Sequence, residues 1–591
     1  MIRRIRQSMS VLYSRFLSMD TALIVGLAVV VGVGAGMGAV VFRWLIQFFA
    51  RVSFGGGKVP LGFLGQYYVI LIPAIGGLFV GFLVYFFARE AKGHGVPEVM
   101  EAVALRQGRI RPIVALIKTL ASSICIGSGG SAGREGPIVQ IGSALGSTLG
   151  QKLRLSGERI RTLVACGAAG GIAATFNAPI AGAIFAMEVI LAELSAGYFA
   201  AVIISSVTAS AISRVFLGDL PAFRVQVYGL VSPWELLLYA GLGLLTACIA
   251  FAFVFLLYRT EDLFEGWRFP EYIKPAVGGL GIGLIGLYFP QVFGVGYETL
   301  EKILRNDITA VHLLLFLLAA KLVATSLTLG SGGSGGVFAP SLFMGAMLGG
   351  AFGLAVHTWF PTITAPPGAY ALVGMAALFA SAARAPMTSV LILFEMTRDY
   401  EIILPLGLAV AISTVIGRLL QTETIYTFKL KRRGIEISAF RDVNWMRTIK
   451  VEEAMTPKSE LVTVSPEMSV RELIPLFQQT HSHGFGVVNG DGEFLGVVAL
   501  SDVERAVKAG DLERKVGDIC TTQVRCVFPD QTLEDAIAHF GAMDVGRIPV
   551  IYRGNHRRLV GMIRRPDIIR AYSQAFLSSQ GKKHQNDADL D

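Results

Sequence analysis

Apolar positions gather into stretches near residues 21–50, 68–88, 111–126, 161–217, 234–258, 274–292, 311–329, 341–356 and 370–420, broken by glycine clusters and short polar runs. A helix needs about 20 residues to cross a hydrocarbon core, and several of these stretches are shorter. Half-crossing helices are tolerated in a bilayer only where their ends are buried in protein or line a watery cavity. The pattern therefore predicts a pathway across a membrane rather than an anchor. Beyond about residue 450 the pattern changes to strand, helix, strand, turn, strand, helix, and this order occurs twice. Val462–Phe477 (VTVSPEMSVRELIPLF) resembles Arg525–Phe540 (RCVFPDQTLEDAIAHF), which predicts a small tandem α/β module.

The membrane part repeats as well. Gly127–Pro137 (GSGGSAGREGP) matches Gly330–Pro340 (GSGGSGGVFAP) at an offset of 203. Further on, AAGGIAATFNAPIAGAIFAME, ending at Glu188, matches GMAALFASAARAPMTSVLILFE, ending at Glu395, with Pro179 and Pro386 at the same distance before each glutamate. Two homologous halves are expected, and repeats of this kind place a binding site at their interface near the bilayer midplane.

Composition agrees and adds orientation. Of 591 residues, 53% are apolar and 16% charged, against about 25% charged for soluble domains. Residues 1–450 hold 36 basic and 23 acidic groups, whereas 451–591 hold 16 and 20, so the net +9 is +13 on the membrane part and −4 on the tail. Nucleic-acid binding is a poor reading of that basicity. Basic residues flank the first apolar stretch (MIRRIRQSMSVLYSRF) and follow the last (Lys429, Lys431, Arg432, Arg433). Positive charge beside a span favours the cytoplasm, so both termini are expected there, with an even number of crossings of a prokaryotic inner or plasma membrane. The first apolar run lacks a cleavage site and reads as a retained span. The cysteines Cys125, Cys166, Cys248, Cys520 and Cys526 form no CxxC pair, which fits a reducing compartment.

Three glycine-rich segments end in a proline that opens an apolar helix: Gly93–Pro97, containing His94, Gly95 and Val96; Gly133–Pro137, containing Glu135 and Gly136; and Gly336–Pro340, containing Val337, Phe338 and Ala339. Proline suits the first helical position, where its missing N–H would be an orphan anyway. A helix N-terminus carries about half a positive charge, so three converging ends would form an anion site from backbone alone. Binding of that kind is weak enough to let a permeating ion leave.

GREGP, GGVFAP, the repeated AP…E helices and the distal Tyr426 resemble the CLC family of chloride channels and chloride/proton exchangers, and the tail resembles paired CBS domains. The resemblance implies an all-α polytopic membrane fold of two inverted halves with broken helices, a homodimer in a lipid bilayer, and one anion pathway per subunit, followed by an α/β tandem CBS module. The implied organisation is a cytoplasmic segment 1–20, a transport domain 21–428 with halves of about 21–220 and 230–428, a linker 429–447, CBS domains at 448–510 and 511–573, and a tail 574–591. Carried over residue by residue, Glu135 matches the gating glutamate, whose carboxylate competes with the anion. An ionisable residue at bilayer depth is costly and points to function. Gly95, Val96, Gly136, Val337, Phe338 and Ala339 match the anion-binding segments, and Tyr426 the tyrosine whose hydroxyl meets the central anion. Arg134 is expected to point away as a structural charge. Lys118 either adds a buried positive potential or pairs with Glu98 or Glu101.

Two departures qualify the match. His94 replaces the serine of the family's GSGxP motif, so the imidazole either donates to the anion or turns aside. Val189 stands where exchangers carry an inward-facing proton-relay glutamate, and Glu188, rotated by about 100° on a helix, does not substitute for it. Glu188 and Glu395 read as structural. In the tail, Asp502 and Asp567 match the ribose-contacting aspartate of nucleotide-binding CBS pairs, but the usual Ser/Thr three residues earlier is Ala499 or Arg564, leaving Arg564 or Arg565 to meet phosphates by charge. An adenine nucleotide (ATP, ADP or AMP) is the one cofactor the resemblance implies. His481 and His483 lack further ligands at metal-site spacing, so no metal is expected. Nothing resembles a catalytic set, and GSGGSAGREG lacks the framing strand and acid of a dinucleotide fingerprint, so the chain is not expected to be an enzyme. The leading expectation is gated passive chloride permeation. Chloride/proton exchange is the alternative, and a nucleotide-responsive membrane sensor a more distant one.

Overall fold

The apolar stretches form helices whose lengths reproduce the broken pattern. In the computed structural model, which describes residues 2–574 apart from 57–61, 195, 220–222, 224–227, 436–448, 481, 544 and 545, two compact units separate, Met1–Ile437 and Ser438–Asp591. Most of the linker expected at 429–447, the tail from 575 onward and His481 lie outside the described residues.

The first half of the larger unit runs α1 (Ile2–Ala50), α2 (Tyr68–Phe87), α3 (Val96–Leu105), α4 (Ile113–Gly127), α5 (Glu135–Lys152), α6 (Gly157–Phe176), α7 (Pro179–Phe185, continued by a π-helical stretch Ala186–Leu191) and α8 (Ala196–Leu217). The second half repeats the series as α9 (Glu235–Gly266), α10 (Lys274–Tyr288), α11 (Tyr297–Leu304), α12 (Val311–Gly330), α13 (Phe338–Trp359), α14 (Pro367–Ala383), α15 (Pro386–Thr397) and α16 (Ile403–Leu420), after which α17 (Thr427–Arg432) follows. Among the described residues, seven helices are long and apolar enough to cross a membrane. The rest fall short in length, as α3, α7 and α11 do, or in apolar character, as the 18-residue α5 and the 20-residue α6 do.

Contacts between equivalent helices show how the halves are related. A Cβ at Gly77 of α2 would strike Pro275 O of α10, and one at Gly279 would strike Pro73 O; Gly81 likewise abuts Tyr272 O, and Gly283 abuts Ile70 O. These contacts exchange under the repeat, so a pseudo-twofold axis relates the halves. Numbers rise on one helix as they fall on the other, so equivalent helices run antiparallel. A twofold axis perpendicular to membrane-crossing helices is the inverted arrangement.

The same symmetry resolves helix ends that fall within protein. Pro179 opens α7 and Pro386 opens α15. Glu395 accepts hydrogen bonds from Ile180 N (3.1 Å) and Ala181 N (2.7 Å), and Glu188 accepts from Met387 N (3.2 Å), Thr388 N (2.8 Å) and Thr388 Oγ1 (2.6 Å). Each glutamate thus caps the broken helix of the other half, satisfying N–H groups that a helix start leaves unpaired. One continuous hydrophobic core, from Ala28 to Leu430, spans both halves.

In the smaller unit, β1 (Thr456–Pro457), β2 (Thr463–Val464), β3 (Gly484–Val488), β4 (Phe494–Ala499), β5 (Arg547–Tyr552) and β6 (Asn555–Arg564) form two sheets, of order β1-β6-β5 and β2-β3-β4. The two copies interlock, since β1, which lies ahead of the repeated segment that begins at Val462, pairs antiparallel with β6 of the second copy through Thr456 opposite Met562. Alternate side chains build two cores, one around Phe485 and Val498 and one around Ile548 and Ile563.

Candidate functional site

Backbone pairing between the two repeated glycine loops brings their helix starts together. Gly133 N donates to Gly336 O (2.7 Å) and Gly336 N to Gly133 O (2.6 Å), forming one antiparallel bridge just before α5 and α13. The loop before α3 joins them, with Gly93 N donating to Gly333 O (3.0 Å) and Gly335 N to Gly93 O (3.2 Å). Small residues are required for this approach, because a Cβ at Gly136 would collide with His94 O. Gly95 holds φ +84°, which favours glycine. The three segments expected to meet the anion are therefore adjacent, and His94, Gly95, Val96, Gly136, Val337, Phe338 and Ala339 are gathered at them.

Glu135 lies in the first turn of α5 and is 1% exposed. Its Oε2 accepts from Ala339 N at the start of α13 (3.4 Å), and its Oε1 accepts from the Tyr297 hydroxyl (2.6 Å). A carboxylate at a helix N-terminus occupies the place that favours an anion. Phe338 is buried against Phe379 and Phe176, with ring centroids 4.1 and 5.1 Å apart.

Tyr426 directly precedes α17 and is buried, its ring 6.1 Å from that of His94. The Tyr258 hydroxyl donates to Ile425 O (2.6 Å) and lies 3.4 Å from His94 Nε2, whereas His94 Nδ1 is buried with no partner among the described residues. Lys118 pairs with neither Glu98 nor Glu101: its ammonium donates to Ala91 O (3.0 Å) and Gly93 O (2.7 Å). Glu98 instead takes Lys429 (2.8 Å) and Arg433 (3.4 Å), and Glu101 takes Arg433 (3.1 Å). Two carbonyls of the turn before α3 take the Lys118 ammonium instead. Arg134 does not simply point away: its guanidinium lies over the Tyr297 ring, 5.2 Å from the centroid, and meets Thr175 O at 3.4 Å. Val189 is buried within the π-helical stretch after α7.

Tyr258, Tyr297 and Lys321 were not among the residues expected at the site. The repeat offset that links Gly127 to Gly330 would carry Lys118 to Lys321. Tyr258 and Tyr297 carry no such signal, because an aromatic residue at the end of a membrane helix usually reads as an interfacial anchor.

In the smaller unit a cavity of about 200 Å³ is lined by Thr456, Glu460, Thr480, Ser482, Arg547 and Arg564, among others. Asp502 accepts from Ala499 N (2.9 Å) and so caps the helix Leu500–Lys508. Asp567 is held by Arg564, whose Nε and Nη2 each donate at 2.8 Å. Burial and the Arg564 charge hold Arg547 below its ordinary value, while hydrogen bonding to Asp567 raises Arg564 above its own.

Residues 76–418 match the family model described as voltage gated chloride channel, and residues 451–509 and 516–574 match the CBS domain. A chloride channel protein described as ClcB-like, from Ralstonia nicotianae, is 36% identical over 367 residues, 61% of this chain and 85% of that protein. The H(+)/Cl(-) exchange transporter ClcA of Vibrio cholerae is 34% identical over 434 residues, 71% and 92% of the two chains. Among solved structures, a slow cyanobacterial Cl-/H+ antiporter is similar with a TM-score of 0.63 at 26% identity, over 69% of this chain and 97% of that one.

Proposed function

The chain belongs to the CLC family of voltage gated chloride channels, integral membrane proteins that transport anions, and from that premise we propose that it carries chloride by gated passive permeation with Glu135 as the gate. The observation that carries this reading is the Glu135 carboxylate at the α13 N-terminus, bonded to Ala339 N. An anion entering there must displace that carboxylate. Protonation removes its charge and hence its claim on the site, so flux rises as pH falls.

The anion then meets the N-terminal N–H groups of α3, α5 and α13 and, from the other side, the Tyr426 hydroxyl. Partial charges on backbone, rather than an ion pair with a side chain, hold chloride, which allows it to leave. The passive reading is supported by Val189, a buried aliphatic residue at the proton-relay position, and by Glu188, whose oxygens are engaged as a cap. We propose further that two copies associate, that both termini face the cytoplasm, and that the CBS pair regulates flux through an adenine nucleotide.

Exchange is the second reading, favoured by the similarity to a protein named as an H(+)/Cl(-) exchange transporter. Purified protein in liposomes separates the two. Under a chloride gradient the passive reading expects no uphill proton movement. Proton pumping that disappears in Glu135→Gln would establish exchange instead.

A further inference from the structure

The loops that open α3 and α11 are equivalent in the two halves. Each has a short 3-10 turn, Arg89–Ala91 or Pro290–Val292, then two glycines at positive φ, Gly93 and Gly95 (+77° and +84°) or Gly294 and Gly296 (+57° and +84°). Each is also tied down by a buried lysine from the helix that follows. Lys118 holds Ala91 O and Gly93 O; Lys321 holds Val292 O (3.0 Å) and Gly294 O (2.9 Å), with its ammonium 5.0 Å from the centre of the Phe343 ring.

The two loops diverge at the residue that opens the helix. In the first half it is Val96; in the second it is Tyr297, whose hydroxyl donates to Glu135 Oε1 at 2.6 Å. One loop was thus kept for the anion segment, while its counterpart delivers a phenol to the carboxylate. We propose that Tyr297 is a positioning residue for the gate, its hydroxyl latching Glu135 on the α13 N-terminus while Lys321 fixes the loop that presents it. This deepens the reading of Glu135 as the gate and rests on it.

The groups acting on the latch are few. Glu135 receives Tyr297 from α11 and Ala339 N–H from α13, and Arg134 beside it lies over the Tyr297 ring. Lys321 of α12, Tyr426 and Arg43 of α1 are the other charged or titratable groups within electrostatic range of these residues. To open, the carboxylate must give up two donors rather than one. Losing a hydrogen bond to a charged group shifts an equilibrium by roughly ten- to a hundredfold. The hydroxyl also favours the ionised carboxylate.

The test is chloride efflux from liposomes holding the full chain, for wild type, Tyr297→Phe, Glu135→Gln and the double variant. Tyr297→Phe is expected to raise flux at neutral pH severalfold or more, to move half-maximal activation about one pH unit upward, and to add nothing in the Glu135→Gln background. Fluorinated tyrosine at 297, a stronger donor on the same ring, is expected to lower flux. Unchanged flux and pH profile in Tyr297→Phe, an equal effect in the Glu135→Gln background, or higher flux with the fluorinated residue would each overturn the latch. A Glu135→Gln protein with wild-type flux and pH profile would instead remove the gate reading itself.

Discussion

At His94, the neighbours decide what the side chain offers an anion. The Tyr258 hydroxyl has one proton, donated to Ile425 O, so toward His94 Nε2 it accepts. That places the proton of the neutral ring on Nε2 and leaves Nδ1 as a lone pair, which repels an anion. Backbone N–H groups then act alone at this point. His94→Ser puts back a hydroxyl free to donate, and chloride binding measured by calorimetry on purified protein is expected to tighten about fivefold, the worth of roughly 1 kcal/mol. Equal affinity in the two proteins would show that the imidazole already donates. Sequence alone left His94 open between donating and turning aside, because tautomer and direction are set by residues 164 and more positions away.

Among elements, the closest approach is between α2 and α10, where glycines place one backbone against another. Adding a methyl group at Gly77 or Gly279 forces carbonyls of the facing helix to move. Overpacking of this kind costs about 1–3 kcal/mol, so Gly77→Ala and Gly279→Ala are expected to lower the unfolding temperature in detergent. Gly241→Ala in α9, where a Cβ meets nothing within 4 Å, is the control, expected to be neutral or stabilising by up to about 1 kcal/mol. The repeat in the sequence showed that two halves exist. It did not show that Glu188 and Glu395 cap each other's half, because a cap formed across about 200 residues leaves no local pattern. That half-crossing helices need protein around their ends was legible, whereas the breaks that make α7 and α15 short lie inside the apolar stretches 161–217 and 370–420.

On the scale of the whole chain, the membrane part and the tandem CBS tail are separate compact units. In that tail, Arg564 occupies the Asp567 carboxylate through both Nε and Nη2, so a ribose arriving there must first break an ion pair. Arg564→Thr releases the aspartate and restores the hydroxyl usual at this position, and ATP binding to the full chain is expected to strengthen at least about tenfold, the worth of a charge-assisted hydrogen bond. Unchanged or weaker binding would show that Arg564 itself meets the phosphates. For the transport unit, chloride flux from liposomes is expected to rise as pH falls and to lose that dependence in Glu135→Gln. Fold class, the two halves, the tandem tail and the glycine-rich helix starts were legible in the sequence, because hydrophobic period, helix length and internal repeat are local properties of the chain. The tertiary structure alone decided who meets whom: Tyr297 on Glu135, Glu188 and Glu395 on each other's half, β1 in the sheet of the second copy. These are contacts between side chains or strands distant in sequence, made by how helices and strands pack, and no spacing along the chain encodes them.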